Sequence, residues 1–171
     1  TVLSRSFQKA LYRDETARRI TEVSAGPLFG DTAEPDDLAS GTIYVLRSKS
    51  AHPYVDQHRE LIHKIGVTGQ PLASRIANAR NDPTFLLADV EIVAEYKLYN
   101  INRSKLEGLI HRALAPARLD LSAGDRFGKT VQPREWFLVP LNAIDELVGR
   151  ISDGMVTEFH YDREQARFVP A

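Results

Sequence analysis

The stretch 41–66 constrains the fold of this chain more than any other part of the sequence. It contains two segments, GTIYVLRSKS and HKIGVTG, that read as short β-strands with one functional side chain each. Successive side chains of a strand point to opposite faces, so Tyr44 and Lys64 each lie opposite their Ile and Val neighbours. If the two strands pair as neighbours, the phenol of Tyr44 and the ammonium of Lys64 share one face of a sheet.

Composition excludes several classes of protein. The 171 residues are 43% hydrophobic and 26% charged, as in an ordinary globular protein with one sizeable core. The absence of cysteine excludes disulfides, thiolate nucleophiles and cysteine-based zinc sites, and it agrees with a cytoplasmic location. No apolar run approaches the roughly 18 residues that a membrane span requires. We therefore expect a cytoplasmic protein with no membrane partner.

The chain divides into three parts. Residues 1–40 are predicted to form an N-terminal helical arm and linker, with helix over 2–20, that joins a further N-terminal region. Residues 41–152 are predicted to form the folded domain, and 153–171 a C-terminal tail or hairpin. Residues 1–40 and 119–171 are acidic, whereas residues 41–118 carry 11 basic and 7 acidic side chains, a net charge of +4. That split is compatible with a local phosphate-binding face, and solvated surface charge explains it equally well.

The periodicity within the domain predicts an α+β fold. Apolar and polar residues alternate in three segments, and apolar residues recur at helical spacing in three others. We predict a small central antiparallel sheet of about three strands, flanked by helices, and a further short strand in REWFLVP. The predicted strands cover about 42–46, 61–67 and 90–99, and the predicted helices about 71–80, 103–115 and 141–151.

Single candidate residues are ambiguous when each is taken alone. Arg75 in the helix after the second strand can bind phosphate or lie along the edge of the core. Glu107 fits a capping box that starts at Ser104, unless Asn102 caps the helix and leaves the carboxylate free to face a cleft. His111 follows one turn later, where it joins Glu107 either at a metal or phosphate or in a surface pair.

The order of these residues is more informative than any one of them. The run Thr42-Ile43-Tyr44, Lys64-Ile65-Gly66, PLASRIANAR, LEGLIHRAL and Glu135-Trp136-Phe137 resembles the GIY-YIG nuclease superfamily. It resembles most the phage-type and bacterial subgroup with a KIG second motif and a terminal Glu-Trp-Phe. The resemblance covers about residues 41–150, and Lys64 stands where the superfamily name has tyrosine.

The resemblance implies hydrolysis of a DNA phosphodiester bond with one divalent metal ion, Mg²⁺ or Mn²⁺. On this hypothesis Tyr44 is the general base, and Lys64 lowers the pKa of its phenol. Arg75 stabilises the phosphate, and Glu107 binds the metal. Second-tier candidates are His111 for catalysis and His63 and Arg103 for substrate binding.

Two other functions fit the same residues. The domain can be a module that binds nucleic acid or protein on this fold without catalysis, with Lys64 as the mark of that loss. It can also be a purely structural domain, in which Glu107 caps a helix and Tyr44 packs. For the enzyme we expect DNA as partner, with a homodimer or an additional N-terminal domain selecting the target.

Overall fold

The structure, a computed structural model, describes residues 18–19, 41–98, 102–120, 123–124 and 130–171. For the two-residue strands at 18–19, 123–124 and 130–131 it describes the backbone alone. The strands are β1 (Arg18–Arg19), β2 (Gly41–Ser48), β3 (Ile62–Thr68), β4 (Val90–Leu98), β5 (Ala123–Gly124), β6 (Thr130–Val131), β7 (Trp136–Leu138), β8 (Phe159–Asp162) and β9 (Arg167–Pro170). The helices are α1 (Pro53–Gln57), α2 (Leu72–Ile76), α3 (Arg103–Ala113) and α4 (Leu141–Ser152).

The central sheet has five strands in the order β1-β4-β2-β3-β7. The pairs β4–β2, β2–β3 and β3–β7 are antiparallel, and β1 runs parallel to β4. The predicted α+β class, with a central antiparallel sheet flanked by helices, is confirmed. The sheet exceeds the predicted three strands because β7 pairs with β3 and β1 pairs with the outer side of β4.

The predicted helix over 2–20 is wrong at its end, because Arg18 and Arg19 form strand β1. Their backbone pairs with Tyr96 and Lys97 of β4. The spacing of apolar residues in the arm carried no sign of this distant partner. The rest of that helix lies outside the described residues.

Strand β2 is buried on both faces because it lies in the middle of the sheet. One face, which carries Ile43 and Val45, packs with apolar residues of α3 and α4 in the main core. The other face carries Tyr44 and Leu46 and is covered by α2 and by the turns that follow it. The functional residues predicted from the two strand motifs therefore lie on the more thinly covered face.

The predicted helix over 71–80 is shorter in the structure. Helix α2 ends at Ile76, and the chain continues through 3₁₀ turns at Ala79–Asn81 and Pro83–Phe85. The side chain of Asp82 starts the second turn by accepting hydrogen bonds from the backbone N–H and the hydroxyl of Thr84, at 2.8 and 2.7 Å. Helix α2 thus ends before the Asn-Asp-Pro sequence that was predicted to stop it, and the Asp82 of that sequence caps the following turn instead.

The C-terminal residues form a hairpin of β8 and β9, which is one of the two predicted alternatives. Tyr161 and Phe168 pack edge to face with ring centroids 5.4 Å apart, and both belong to the main core together with α4. Within the described part of the chain, no helix is long and apolar enough to cross a membrane.

Candidate active site at the edge of the central sheet

Tyr44 and Lys64 lie on the same face of the sheet, as the strand period predicted. In the antiparallel pair of β2 and β3, Tyr44 lies opposite Gly66 and Leu46 lies opposite Lys64. Directly opposite residues of an antiparallel pair point to the same side. The phenol and the ammonium therefore occupy neighbouring positions on one face.

The phenol of Tyr44 lies across Gly66, at the part of β3 that extends beyond its pairing with β7. A Cβ atom at position 66 would lie 2.5 Å from the Cζ atom of Tyr44 and still closer to its hydroxyl oxygen. Glycine inside a strand often marks such a close approach. The KIG motif thus keeps the space that the phenol fills.

We expect Gly66→Ala to displace Tyr44 and to destabilise the fold by about 1–3 kcal/mol, because the buried ring has no room to move aside. Chemical denaturation followed by circular dichroism measures this change. The matched control is Gly149→Ala in α4, where a Cβ atom would meet nothing within 4 Å. That control should gain up to about 1 kcal/mol in helix propensity. Equal stability of Gly66→Ala and the wild type would contradict the close approach of the phenol.

Arg75 is the hydrogen-bonding partner of Tyr44. Its guanidinium, on exposed α2, donates to the phenol oxygen, and Tyr44 itself is only 1% exposed. Burial raises the pKa of Tyr44 above its usual value, and the hydrogen bond from Arg75 opposes the rise without cancelling it. The phenol is therefore protonated at neutral pH.

Lys64 is fully buried, and its ammonium pairs with the carboxylate of Glu135, the residue that precedes β7. Burial lowers the pKa of Lys64, and the charge of Glu135 opposes that change. Lys64 has Glu135 as its partner, and the groups that act on the pKa of Tyr44 are Arg75, Glu135 and Glu107, so the activation of Tyr44 by Lys64 stays a prediction. The carboxylate reaches Lys64 through a long-range contact between β3 and β7, which local sequence spacing does not reveal.

Phe85 lies beneath both cations of the site. The Lys64 Nζ atom is 4.7 Å from the centroid of its ring, and the Arg75 Cζ atom is 5.9 Å from it. Cations within about 6 Å of an aromatic ring are attracted to its face. Phe85 therefore contacts two of the predicted site residues at once.

Glu107 lies on α3, and its charge acts on the phenol of Tyr44. The cap of α3 is Asn102, whose side chain accepts a hydrogen bond of 2.9 Å from the N–H of Lys105, so the capping box at Ser104 does not form. The half-buried Glu107 carboxylate contributes, behind burial and Glu135, to raising the pKa of Tyr44. It therefore lies within electrostatic reach of the phenol and is free of a capping role.

Arg103 and His111 flank Glu107 on α3. The guanidinium of Arg103 lies against Gly69, where a Cβ atom would be 2.6 Å from its Cζ atom. The His111 Nε2 atom lies 3.3 Å from the carbonyl oxygen of Ile65 in β3, and its ring packs near Phe137. Both residues lie beside the predicted site, and their roles in binding and catalysis stay predictions.

The predicted substrate-binding role of His63 does not fit the structure. The side chain is fully buried on the face opposite Lys64, and its Nδ1 atom lies 2.8 Å from the carbonyl oxygen of Val139. Burial lowers the pKa of His63. The strand period that places Lys64 in the site necessarily turns its neighbour away from it.

Sequence reasoning missed two residues of the site, Glu135 and Phe85. Glu135 stood in the Glu-Trp-Phe motif, which signalled its importance without indicating that it pairs with Lys64. Phe85, in a short turn after Pro83, carried no signal beyond its size and apolar character. The structure thus brings together Tyr44, Lys64, Arg75 and Glu107 with these two additional residues.

A divalent cation at this site would depend on one half-buried carboxylate, that of Glu107. Among the described residues there is no group of three or more His, Cys, Asp or Glu side chains that could form a closed metal cage. Mg²⁺ commonly uses only one or two carboxylates, together with phosphate oxygens and water. The half-buried Glu107 carboxylate is compatible with that mode of binding.

Comparison with known proteins shows which family the residues of this site match. Residues 41–152 match the T5orf172 domain. The chain is also 40% identical over 150 residues to the uncharacterized protein YeeC of Bacillus subtilis (strain 168). The matching region makes up 88% of this chain and 38% of the YeeC protein. Because 150 residues exceed the length from Gly41 to Ala171, this similarity extends into residues 1–40. No solved structure matches the chain.

The predicted membership of the GIY-YIG nuclease superfamily is therefore wrong, because the matching family is the T5orf172 domain, a different family. Short motifs of two or three residues were not specific enough to distinguish the two. The T5orf172 domain is a nuclease-like, DNA-binding type of module, which is compatible with a nucleic-acid-binding domain. The chain spans well under half of the YeeC protein.

Proposed function

We propose that this chain, which belongs to the T5orf172 domain family, hydrolyses phosphodiester bonds of DNA with the help of a divalent metal ion. The observation that supports the proposal is that the Tyr44 phenol interacts with Arg75 and, more weakly, with the charge of Glu107. These three side chains come from β2, α2 and α3, and they supply a phenol, a guanidinium and a carboxylate. Clusters of this kind, in which burial and charge shift the pKa of a member, are typical of functional sites.

Arg75 is the proposed phosphate ligand. Its side chain is exposed, and its partner in the site is a neutral phenol rather than a carboxylate. A guanidinium can donate two parallel hydrogen bonds to a phosphate, and these strengthen as negative charge develops in the transition state. When DNA binds, Arg75 would exchange the phenol for a phosphate as its hydrogen-bonding partner. Arg75 and Arg103 would then hold the DNA strand against this edge.

Tyr44 is the proposed proton acceptor. It lies beneath Arg75, so a phosphate that draws the guanidinium outward would also uncover the phenol oxygen. In the small fraction of molecules whose phenol has lost its proton to solvent, the water oxygen forms a bond to phosphorus, its proton goes to the ionised Tyr44 oxygen, and the bond from phosphorus to the leaving sugar oxygen breaks. The leaving oxygen takes a proton from solvent.

Glu107 is the proposed ligand of Mg²⁺ or Mn²⁺. The metal would neutralise charge on the phosphate and on the leaving oxygen. The Glu107 carboxylate supplies the hard oxygen donor that these ions prefer. Lys64 and Glu135 would contribute a fixed ion pair that shapes the floor of the site.

The direct test is nicking of supercoiled plasmid DNA with Mg²⁺, measured as a function of pH. The phenolate fraction rises about tenfold per pH unit below the pKa of Tyr44, and burial holds that pKa above its usual value. We therefore expect the logarithm of the single-turnover rate to rise with a slope near one from about pH 7 to pH 9, without a plateau.

Tyr44→Phe is the control for this slope, because it keeps the buried ring and removes only the hydroxyl. We expect it to lower the rate by on the order of 10²–10⁴-fold, as for loss of a general base, and to flatten the pH profile. A Tyr44→Phe protein that cuts DNA with the wild-type rate and slope would show that another group accepts the proton.

The second candidate is a DNA-binding module without catalysis. It is favoured by one observation, the near-complete burial of Tyr44 beneath Arg75, which would keep water from the phenol if Arg75 did not move. This function predicts DNA binding that weakens steeply as salt is raised, and no cleavage with any divalent metal.

A further inference from the structure

Phe85 occupies an unusual place, since one buried aromatic ring contacts two cations of the candidate site. The ring is 1% exposed and packs in the same cluster as Tyr44 and Leu46. Lys64 approaches it from β3 and Arg75 from α2, at 4.7 and 5.9 Å from the ring centroid. Among the described residues, no other aromatic ring lies within about 6 Å of two cations of this site.

The turn that carries Phe85 is fixed from both sides. Before it, Asp82 holds Thr84 by two hydrogen bonds, and the indole N–H of Trp136 donates to the carbonyl oxygen of Thr84 at 3.0 Å. After it, Leu86 and Leu87 both have left-handed backbone conformations, with φ of 60° and 51°. Branched residues rarely adopt this conformation, and such strain persists only where the surrounding structure holds it.

We propose that Phe85 is a positioning residue, whose ring face holds the cations of Lys64 and Arg75 at a fixed separation in the site. The proposal rests on the proposed function for its consequence in DNA cleavage, but the contact itself exists without DNA or metal. A ring face attracts an ammonium most strongly where water is excluded, as it is around Lys64. Phe85 therefore favours the charged form of Lys64 within a buried position that otherwise disfavours it.

Three other charged groups act on Lys64, and they come from the elements that pack against it. Glu135, before β7, favours the ammonium, and so does Asp82 from the turn, whereas Arg75 on α2 disfavours it. All three keep their charge when Phe85 is replaced by an aliphatic residue. Removal of the ring therefore isolates one contribution to the pKa of Lys64.

The test is Phe85→Leu, with the pKa of the Lys64 side chain measured by NMR titration of its ε-methylene group in the free protein. We expect this pKa to fall by about 0.5 to 1 pH unit relative to the wild type, because the ring no longer stabilises the ammonium. Phe168→Leu in the C-terminal hairpin is the matched control. It loses the same volume from a buried phenylalanine that contacts neither cation, and it should leave the Lys64 pKa unchanged.

Single-turnover cleavage gives the second measurement, and we expect Phe85→Leu to slow it about tenfold more than Phe168→Leu does. An unchanged Lys64 pKa in folded Phe85→Leu protein would overturn the role of Phe85, whatever the cleavage rate. A wild type that cuts no DNA, together with the expected pKa shift, would overturn the proposed function and leave the role of Phe85 intact. If Phe85→Leu does not fold, Phe85→Met provides the same test, because it fills more of the space without a ring face.

Discussion

Replacement of Glu107 by glutamine is expected to lower the metal-dependent cleavage of DNA by on the order of 10³-fold. The amide keeps the size of the side chain and its place on α3 but loses the charge that holds a hard cation. Because Asn102 caps the helix, the fold should keep its stability. Cleavage of a labelled duplex under single-turnover conditions with Mg²⁺ and with Mn²⁺ measures the loss.

DNA binding without metal separates the role of Glu107 from a general defect. Glu107→Gln should bind DNA at least as tightly as the wild type in the presence of a chelator, since one negative charge near the phosphate is removed. The control is Glu158→Gln, the same substitution at an exposed glutamate near the C-terminal hairpin, which should cut normally. A Glu107→Gln protein that cuts as fast as this control would remove Glu107 from the site.

Replacement of Arg75 by alanine is expected to have the other large effect, a loss of about 10²–10³-fold in single-turnover cleavage. The variant loses the proposed phosphate ligand, and the pKa of Tyr44 rises further because the hydrogen bond that lowers it is gone. Arg75→Lys keeps the charge without the planar fork and should recover only part of the rate. The same cleavage assay measures both variants.

Two measurements make the Arg75 prediction specific. Arg80→Ala, a few residues further along the chain, removes a fully exposed arginine that pairs with Asp89, and its cleavage rate should match the wild type. In spectrophotometric titration, the Tyr44 signal, identified by its loss in Tyr44→Phe, should move to higher pH in Arg75→Ala. Equal losses in Arg75→Ala and Arg80→Ala would indicate a general effect of charge rather than a phosphate ligand.

Local periodicity predicted the part of the site that depends on one strand or one helix. The period of two placed Tyr44 and Lys64 on a common face, and the register of β2 and β3 agrees. The helical stripe of α3 placed Glu107 at its border and left Asn102 open as an alternative cap, which the structure has. The same period of two turns the side chain of His63 to the face opposite Lys64, and it therefore argues against the predicted role of His63 in substrate binding.

Long-range contacts account for what the sequence did not reveal. The partner of Lys64 is Glu135, 71 residues away, and it comes into reach only because β7 pairs with β3. From the strand pattern alone, Lys64 is the nearest candidate partner for Tyr44. In the structure, the partner of Tyr44 is Arg75, which approaches the phenol from α2. The placement of Phe85 depends on a strained turn that no propensity favours. The family could not be assigned from motifs of a few residues, because the T5orf172 match depends on the whole stretch 41–152.

The central claim is that Tyr44, Arg75 and Glu107 act together on one phosphate with one metal ion. Its most direct test is a crystal structure with Mn²⁺ and a DNA duplex that carries a non-hydrolysable linkage, with the metal located by anomalous scattering. We expect one peak at roughly 2.0–2.3 Å from a Glu107 carboxylate oxygen, and a phosphate that the metal shares with the Arg75 guanidinium beside Tyr44. DNA bound on another surface, or a metal that leaves Glu107 without contact, would contradict the claim.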